Sequence, residues 1–256
     1  MADRFSPVGV FDSGVGGVSV LGSLMNRMPG EDFLYYGDTA NAPYGTKPEA
    51  EVLAHVRRII DTLLARDVKA IVIACNTATS IAAETLRSEL SLPIIGMEPA
   101  LKPASELHRG GQILVMATPN TLRLAKFRRL MERYGRDAVP VPCPGLMELV
   151  ERRDWSLAES YLRELLVTYD PSTLDAVVLG CTHYVFLRPI LRRLLPSHVY
   201  ILDGNEGTAR QTHRVLERNA LLSPNAEGHA ELLTSGEPAI VLPVMLSLLD
   251  TARSLG

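Results

Sequence analysis

Aromatic residues are scarce in this chain: they make up 5% of 256 residues, and Trp155 is the only tryptophan. So few ring faces leave little for the base stacking that single-stranded nucleic acid requires. An excess of positive charge is missing too. Lys and Arg number 26 against 29 Asp and Glu, for a formal charge of −3, so no basic field draws nucleic acid or an anionic membrane. No run of about 18 uninterrupted apolar residues occurs. The opening MADRFSPVGVFDSG lacks the basic start and apolar stretch of a signal peptide. These absences point to a soluble cytoplasmic protein whose partners are small molecules, with no nucleic acid and no membrane. Cysteine is also sparse. Cys75, Cys143 and Cys181 are odd in number and far apart, which fits neither a disulfide framework nor a CxxC zinc site, and reduced thiols are expected.

What is present is a large apolar content, 46% hydrophobic residues, sufficient for one sizeable core or two smaller ones. Aliphatic and β-branched runs recur at 7–11, 33–37, 70–74, 93–97, 112–117, 138–142, 176–180 and 199–203. Their unbroken apolar character suits strands buried on both faces of a mainly parallel sheet. Between them lie amphipathic helical patterns, such as 48–67 and 121–135. Alternation of strand and helix predicts an α/β fold. A turn around Glu98 to Lys102 opens a second round of elements ending near Asn205. Residues from Gly207 read as a helix, and the tail as a strand, a turn and a final helix. Two α/β lobes are expected, residues 1–97 with 207–256 and residues 98–206.

One internal similarity stands out. Ala70-Ile-Val-Ile-Ala-Cys75-Asn76-Thr77 resembles Ala176-Val-Val-Leu-Gly-Cys181-Thr182-His183: an apolar strand, a small residue, a cysteine, then short polar residues. Ligands of open α/β sheets bind beyond the carboxyl ends of the strands, where both thiols fall. A buried cysteine commonly serves as a small hydrophobe, and Cys143, between two prolines, is read that way. For Cys75 and Cys181 the polar residues that follow, at a turn into a helix, favour a thiolate and offer backbone N–H groups to a carboxylate. The wide separation argues against a local redox motif. Zinc on Cys75, Cys181 and His183 needs further ligands and thiols within about 4 Å of each other. Acyl transfer through one thiol leaves the other idle. Two thiols across a substrate can invert a stereocentre, one taking a proton from one face while the other delivers a proton to the opposite face. A thiol starts near pKa 8.5, and lowering it by about two units corresponds to roughly 2.7 kcal/mol.

Asp12-Ser13-Gly14-Val15-Gly16-Gly17 follows the first strand. It fails as a dinucleotide loop, because Ser19 stands where the third glycine belongs, and it lacks the Gly-Lys-Ser/Thr of a P-loop. Asp12 would repel a phosphate but can bind an ammonium, and Ser13 with the glycine backbone can bind a carboxylate. The loop after the second strand, from Tyr36 to Gly45, offers the Tyr44 hydroxyl and the backbone of Gly45, although simple solvation explains its polarity equally well. His183, beside Cys181, is either a satisfied core histidine or a group that tunes the thiol.

Taken together, VFDSGVGG, YYGDTANAPYGTK, IACNTATS and LGCTHYVFL resemble the four signature segments of the glutamate racemases within the aspartate/glutamate racemases, and MEPALKPA, VMATPNTL and the late TSG fit as well. The resemblance implies two pseudo-symmetric lobes, each a mainly parallel sheet flanked by helices, with the active site between them. It implies no pyridoxal phosphate, no other cofactor and no metal. Cys75 would be the base acting on D-glutamate and Cys181 the base acting on L-glutamate, assisted by Asp12 and His183 respectively. Substrate would be held by Asp12, Ser13, Tyr44, Gly45, Asn76, Thr77, Thr182 and His183, with Thr118 and Thr121 from the second lobe. Glu151 matches the family's acidic residue near the second cysteine, with Glu148 close by in an ordinary helical pattern. A bacterial cytoplasmic homodimer supplying D-glutamate for peptidoglycan is implied. Aspartate or another small amino acid is the alternative substrate, and a noncatalytic ligand-binding module using the Gly14–Gly17 loop is the alternative class.

Overall fold

A computed structural model describes residues 2–255. Along the chain run β1 (Val8–Asp12), α1 (Val18–Arg27), β2 (Phe33–Gly37), α2 (Glu49–Leu64), β3 (Ala70–Ile73), α3 (Asn76–Glu89), β4 (Ile94–Gly96) and α4 (Leu101–Glu106). They are followed by β5 (Gln112–Ala117), α5 (Pro119–Arg123), α6 (Ala125–Tyr134), β6 (Ala138–Pro142), α7 (Leu146–Glu151), α8 (Trp155–Leu166) and β7 (Leu174–Leu179). The last elements are α9 (Arg188–Leu194), β8 (Tyr200–Asp203), α10 (Asn205–Arg218), β9 (Ala230–Thr234) and α11 (Pro238–Leu255). The fold class is α/β. The chain divides into two compact units, one running up to Glu98 and resuming at Asn205, the other spanning Pro99–Gly204.

The first unit carries a five-stranded sheet in the order β4-β3-β1-β2-β9, with every pairing parallel. Val8 pairs with Phe33 on one side and Ala70 on the other, so β1 is central. All residues of β1 and β3 are buried, because helices cover both faces and leave no interior strand position for a polar side chain, Asp12 standing at the carboxyl end of β1. Helix α2 shows how the cover forms. Pro48 precedes its first turn, where Glu49 and Glu51 complement the helix dipole. Val52, Val56, Ile59, Ile60 and Leu63 then recur at spacings of three and four and pack against Phe11, Leu34, Ile71 and Ile73. Each such side chain contributes about 1.5–3 kcal/mol through burial.

The second unit carries a four-stranded parallel sheet in the order β6-β5-β7-β8. Pro140 and Pro142 lie in β6, which tolerates them because an edge strand has one side free of ladder bonds. Ala100, Leu101, Ala104 and Phe127 cover Ile113, Val115, Ala176 and Val178. The single helical pattern expected over 121–135 is two helices. Leu124 adopts an extended backbone, φ −70° and ψ 144°, and turns a buried side chain inward. Helix α5 starts from its own N-cap, Thr118, whose hydroxyl accepts from Thr121 N.

Helix α11 is long and apolar enough, by length and composition alone, to cross a membrane. Its Met245, Leu248, Leu249 and Ala252 are buried, on a helix that packs against α1, while Ile240 and Leu246 are exposed.

At the amino end of the first sheet sits a buried ion pair. Lys69 Nζ lies 2.5 Å from Glu31 Oε2, with side-chain exposures of 1% and 3%. Lys69 also donates to Arg4 O at 2.8 Å, and Glu31 Oε1 accepts from Ser223 N at 2.6 Å. The pair therefore pins three chain segments to the start of β3. Removing one partner leaves an uncompensated buried charge, so Lys69→Met should lower the free energy of urea unfolding by about 3 kcal/mol or more. Arg66→Ala, which breaks the exposed pair with Glu231, should cost less than about 1 kcal/mol. Similar small losses in both variants would contradict a structural role for the buried pair.

Candidate active site

In the first unit the chemistry gathers at the carboxyl ends of β1 and β3. Asp12, the last residue of β1, is buried, and its Oδ2 accepts from Gly17 N at 2.6 Å. Gly17 is required by space: a Cβ there would stand 2.4 Å from Asp12 Cβ. The Tyr35 hydroxyl donates to Gly14 O at 3.0 Å and braces the same loop. Ser13 Oγ donates to Asp12 Oδ1 at 3.4 Å, and the Cys75 thiol donates to Ser13 Oγ at 3.5 Å. A chain of proton positions thus runs from Cys75 through Ser13 to the Asp12 carboxylate.

Cys75 is the N-cap of α3, and its sulfur accepts from Ala78 N at 3.4 Å. The positive end of a helix favours the thiolate there. Asn76 and Thr77 form the first turn of α3 and are buried. Neither amide atom of Asn76, Nδ2 or Oδ1, has a hydrogen-bond partner among the described residues. Burying such a group unpaired costs about 1–3 kcal/mol, so Asn76 is equipped to bind a ligand carrying both donors and acceptors.

Tyr44 and Gly45 sit in a buried turn of 3-10 helix, Tyr44–Thr46. The Tyr44 hydroxyl donates to Asp38 Oδ2 at 2.5 Å. Burial, followed by the Asp38 hydrogen bond and the charges of Asp38, Cys75 and Asp12, holds the phenol far above its ordinary range. The ring stacks on His55, centroids 5.9 Å apart. Asp38, with Asn41 donating to its other oxygen at 2.8 Å, escaped the sequence reading because no periodicity links it to Tyr44 across an irregular loop.

In the second unit the corresponding strand is β7, which leads through Gly180 to Cys181. The turn that follows, Thr182–Leu187, is 3-10 helix, and α9 begins after it. Here a side chain addresses the sulfur. His183 Nδ1 lies 3.7 Å from Cys181 Sγ, and His183 Nε2 lies 3.1 Å from Glu151 Oε1 at the end of α7. Burial alone would lower the His183 pKa, but the contacts with Cys181 and then Glu151 outweigh it and raise it well above 6.5. The Thr182 hydroxyl is within 3.5 Å of His183 Nδ1. Thr118 and Thr121 lie beyond the carboxyl end of β5, their hydroxyls 3.0 Å apart.

Cys143, after β6, differs from both. Its thiol donates to Val141 O at 3.4 Å, and burial, then the charge of Cys181, pushes its pKa up to about 12. It remains a neutral thiol, which is neither nucleophile nor base near pH 7. Among the described residues no group of three or more His, Cys, Asp or Glu side chains is arranged to hold a metal ion.

Residues 26–212 match the Asp/Glu/Hydantoin racemase family. A glutamate racemase from Clostridium botulinum is 45% identical over 255 residues, covering 98% of this chain and 99% of that protein. One from Bifidobacterium adolescentis is 48% identical over 253 residues, covering 96% and 98%. The crystal structure of the Thermus thermophilus glutamate racemase in complex with β-chloro-D-alanine superposes with a TM-score of 0.82 at 39% identity, covering 96% of this chain and 94% of that one. The match extends from one end of the chain to the other, through both sheets and both strand-end cysteines, and the chain belongs to the Asp/Glu/hydantoin racemase family.

Proposed function

We propose that this chain is a glutamate racemase that interconverts L- and D-glutamate by two-base proton transfer. The observation that carries the reading is that each unit ends a core strand in a buried cysteine with its own proton-holding partners, Ser13 and Asp12 for Cys75, His183 and Glu151 for Cys181. Full-length similarity to proteins named glutamate racemase supports glutamate as the substrate.

In the proposed reaction the Cys75 thiolate removes the α-proton of D-glutamate while the Cys181 thiol donates a proton to the opposite face. The roles exchange when L-glutamate is the substrate. Asp12 accepts through Ser13 the proton that Cys75 must shed. The His183 imidazolium faces Cys181, and Glu151 keeps that ring protonated and oriented. Asn76, with both amide atoms unpaired by protein, binds substrate together with Ser13, Thr77, Thr182, Thr118, Thr121 and the Tyr44–Gly45 turn. Both base and acid come from side chains, so the reaction as proposed draws on no cofactor. A bacterial cytoplasmic homodimer supplying D-glutamate for peptidoglycan completes the reading.

Purified protein in deuterated water should racemise either enantiomer with solvent deuterium at the α-carbon, followed by circular dichroism and mass spectrometry. No exchange under reducing conditions would sink the proposal. Cys75→Ser and Cys181→Ser should each abolish racemisation, and Cys143→Ser should retain at least about half of it. Equal losses in all three would refute the division of labour among the cysteines.

The pH profile tests the His183 arrangement. Its raised pKa keeps the imidazolium present below that value and loses it as the pH rises through it, so the alkaline limb of kcat/KM should lie well above pH 6.5. Removing the Glu151 charge takes away one cause of the rise, and Glu151→Gln should move that limb to lower pH by about one unit. An unmoved limb would mean that Glu151 does not act through His183.

A further inference from the structure

The Tyr44 hydroxyl has a single proton, and a side chain outside the substrate contacts named above takes it. Asp38 Oδ2 accepts it at 2.5 Å, within the range of a charge-assisted O–H···O⁻ bond. Asp38 is itself 2% exposed, and its other oxygen is taken by Asn41 Nδ2 at 2.8 Å. The carboxylate is held on both oxygens by neutral donors, and this satisfaction makes its burial tolerable.

The loop cannot easily slide out of this arrangement. The hydroxyls of Thr39 and Thr234 are 2.7 Å apart, and Ala40 N donates to Ser235 Oγ at 3.1 Å. Ser235 N in turn donates to Gly37 O at 3.1 Å. A Cβ at Gly236 would approach Thr39 Oγ1 to 2.4 Å, so only glycine lets the turn after β9 clasp the loop this closely. The backbone of Asp38 is anchored as well, its N–H donating to Asp12 O at 3.0 Å.

We propose that Asp38 is a positioning residue for substrate binding: by holding the only hydroxyl proton of Tyr44 it makes that oxygen an acceptor, so Tyr44 gives no hydrogen bond to a substrate carboxylate. This rests on the reading of Tyr44 as a substrate contact in a glutamate racemase. The rival arrangement has the Tyr44 hydroxyl leave Asp38 and donate to the substrate carboxylate directly.

The two are separated by a double-mutant cycle of Asp38→Asn and Tyr44→Phe, with KM and kcat measured in both directions. In Asp38→Asn the replacing amide can present N–H to Tyr44 and release the phenol proton, turning an acceptor into a donor. KM should rise about tenfold for both enantiomers, with kcat within about twofold. Tyr44→Phe should do the same, and the double variant should be no worse than either single one, because both act through one hydrogen bond. Unchanged or lowered KM in Asp38→Asn alongside a raised KM in Tyr44→Phe would overturn the proposal, as would additive losses, or a fall in kcat with KM intact. An inactive wild-type enzyme would instead sink the glutamate reading and this inference with it. If Asp38→Asn does not fold, proton NMR decides. The Tyr44 hydroxyl resonance, assigned by its loss in Tyr44→Phe, should be downfield and stay in place when D-glutamate is added. A large shift on binding would overturn the assignment.

Discussion

A parallel strand buried on both faces can present a reactive side chain at only one place, its carboxyl end. Every interior position of β1, β3 and the inner part of β7 is occupied by an apolar residue that the covering helices require. Polarity returns only where the strand stops, and there the chain must turn into the next helix. Asp12 and Cys75, and Cys181 in the second unit, stand at or just past those ends. Core packing and placement of the chemistry are therefore one constraint. A sheet that buries its faces this fully leaves polar side chains room chiefly at its strand ends.

The two thiols meet that constraint differently. Cys75 caps a helix of 14 residues and receives a backbone N–H, with a hydroxyl and a carboxylate behind it. Cys181 precedes a 3-10 turn and has no comparable cap. A buried imidazole backed by Glu151 takes the place of the helix terminus. Helix dipoles are worth about 0.3–1 kcal/mol in ordinary settings, whereas an opposite charge within hydrogen-bond reach moves a pKa by about 1–3 units. The second thiol thus has a titratable neighbour within reach, and the first a helix terminus and a chain of proton positions.

Much of this was legible in the residues. The apolar runs marked eight strands to within a residue or two, because a parallel strand buried on both faces has a composition that little else shares. The pairing of Cys75 with Cys181 came from the repeated pattern of strand, small residue, cysteine and polar residues. Less legible were features set by side chains meeting across irregular backbone. The run 121–135 shows one unbroken amphipathic period, yet Leu124 breaks it, since burial of Leu124 outweighs the weak local preference for a continuous helix. Asp38 looked like a solvated loop residue. Its role depends on Tyr44 folding back six residues later, a relation no periodicity encodes.

Cys143 shows why residue type alone could not assign the thiols. It lies in the same unit as Cys181, follows a strand of the same sheet, and is nearly as apolar in its immediate setting. Its sulfur, however, meets a carbonyl, to which only the protonated form can donate. Cys75 meets a backbone N–H, which only a sulfur lone pair can accept, and also a hydroxyl able to pass the proton onward. Desolvation raises the cost of a thiolate at any buried cysteine. Burial therefore weighs most at Cys143, where it and then the charge of Cys181 hold the thiol in its protonated form, whereas the sulfur of Cys75 has a backbone donor.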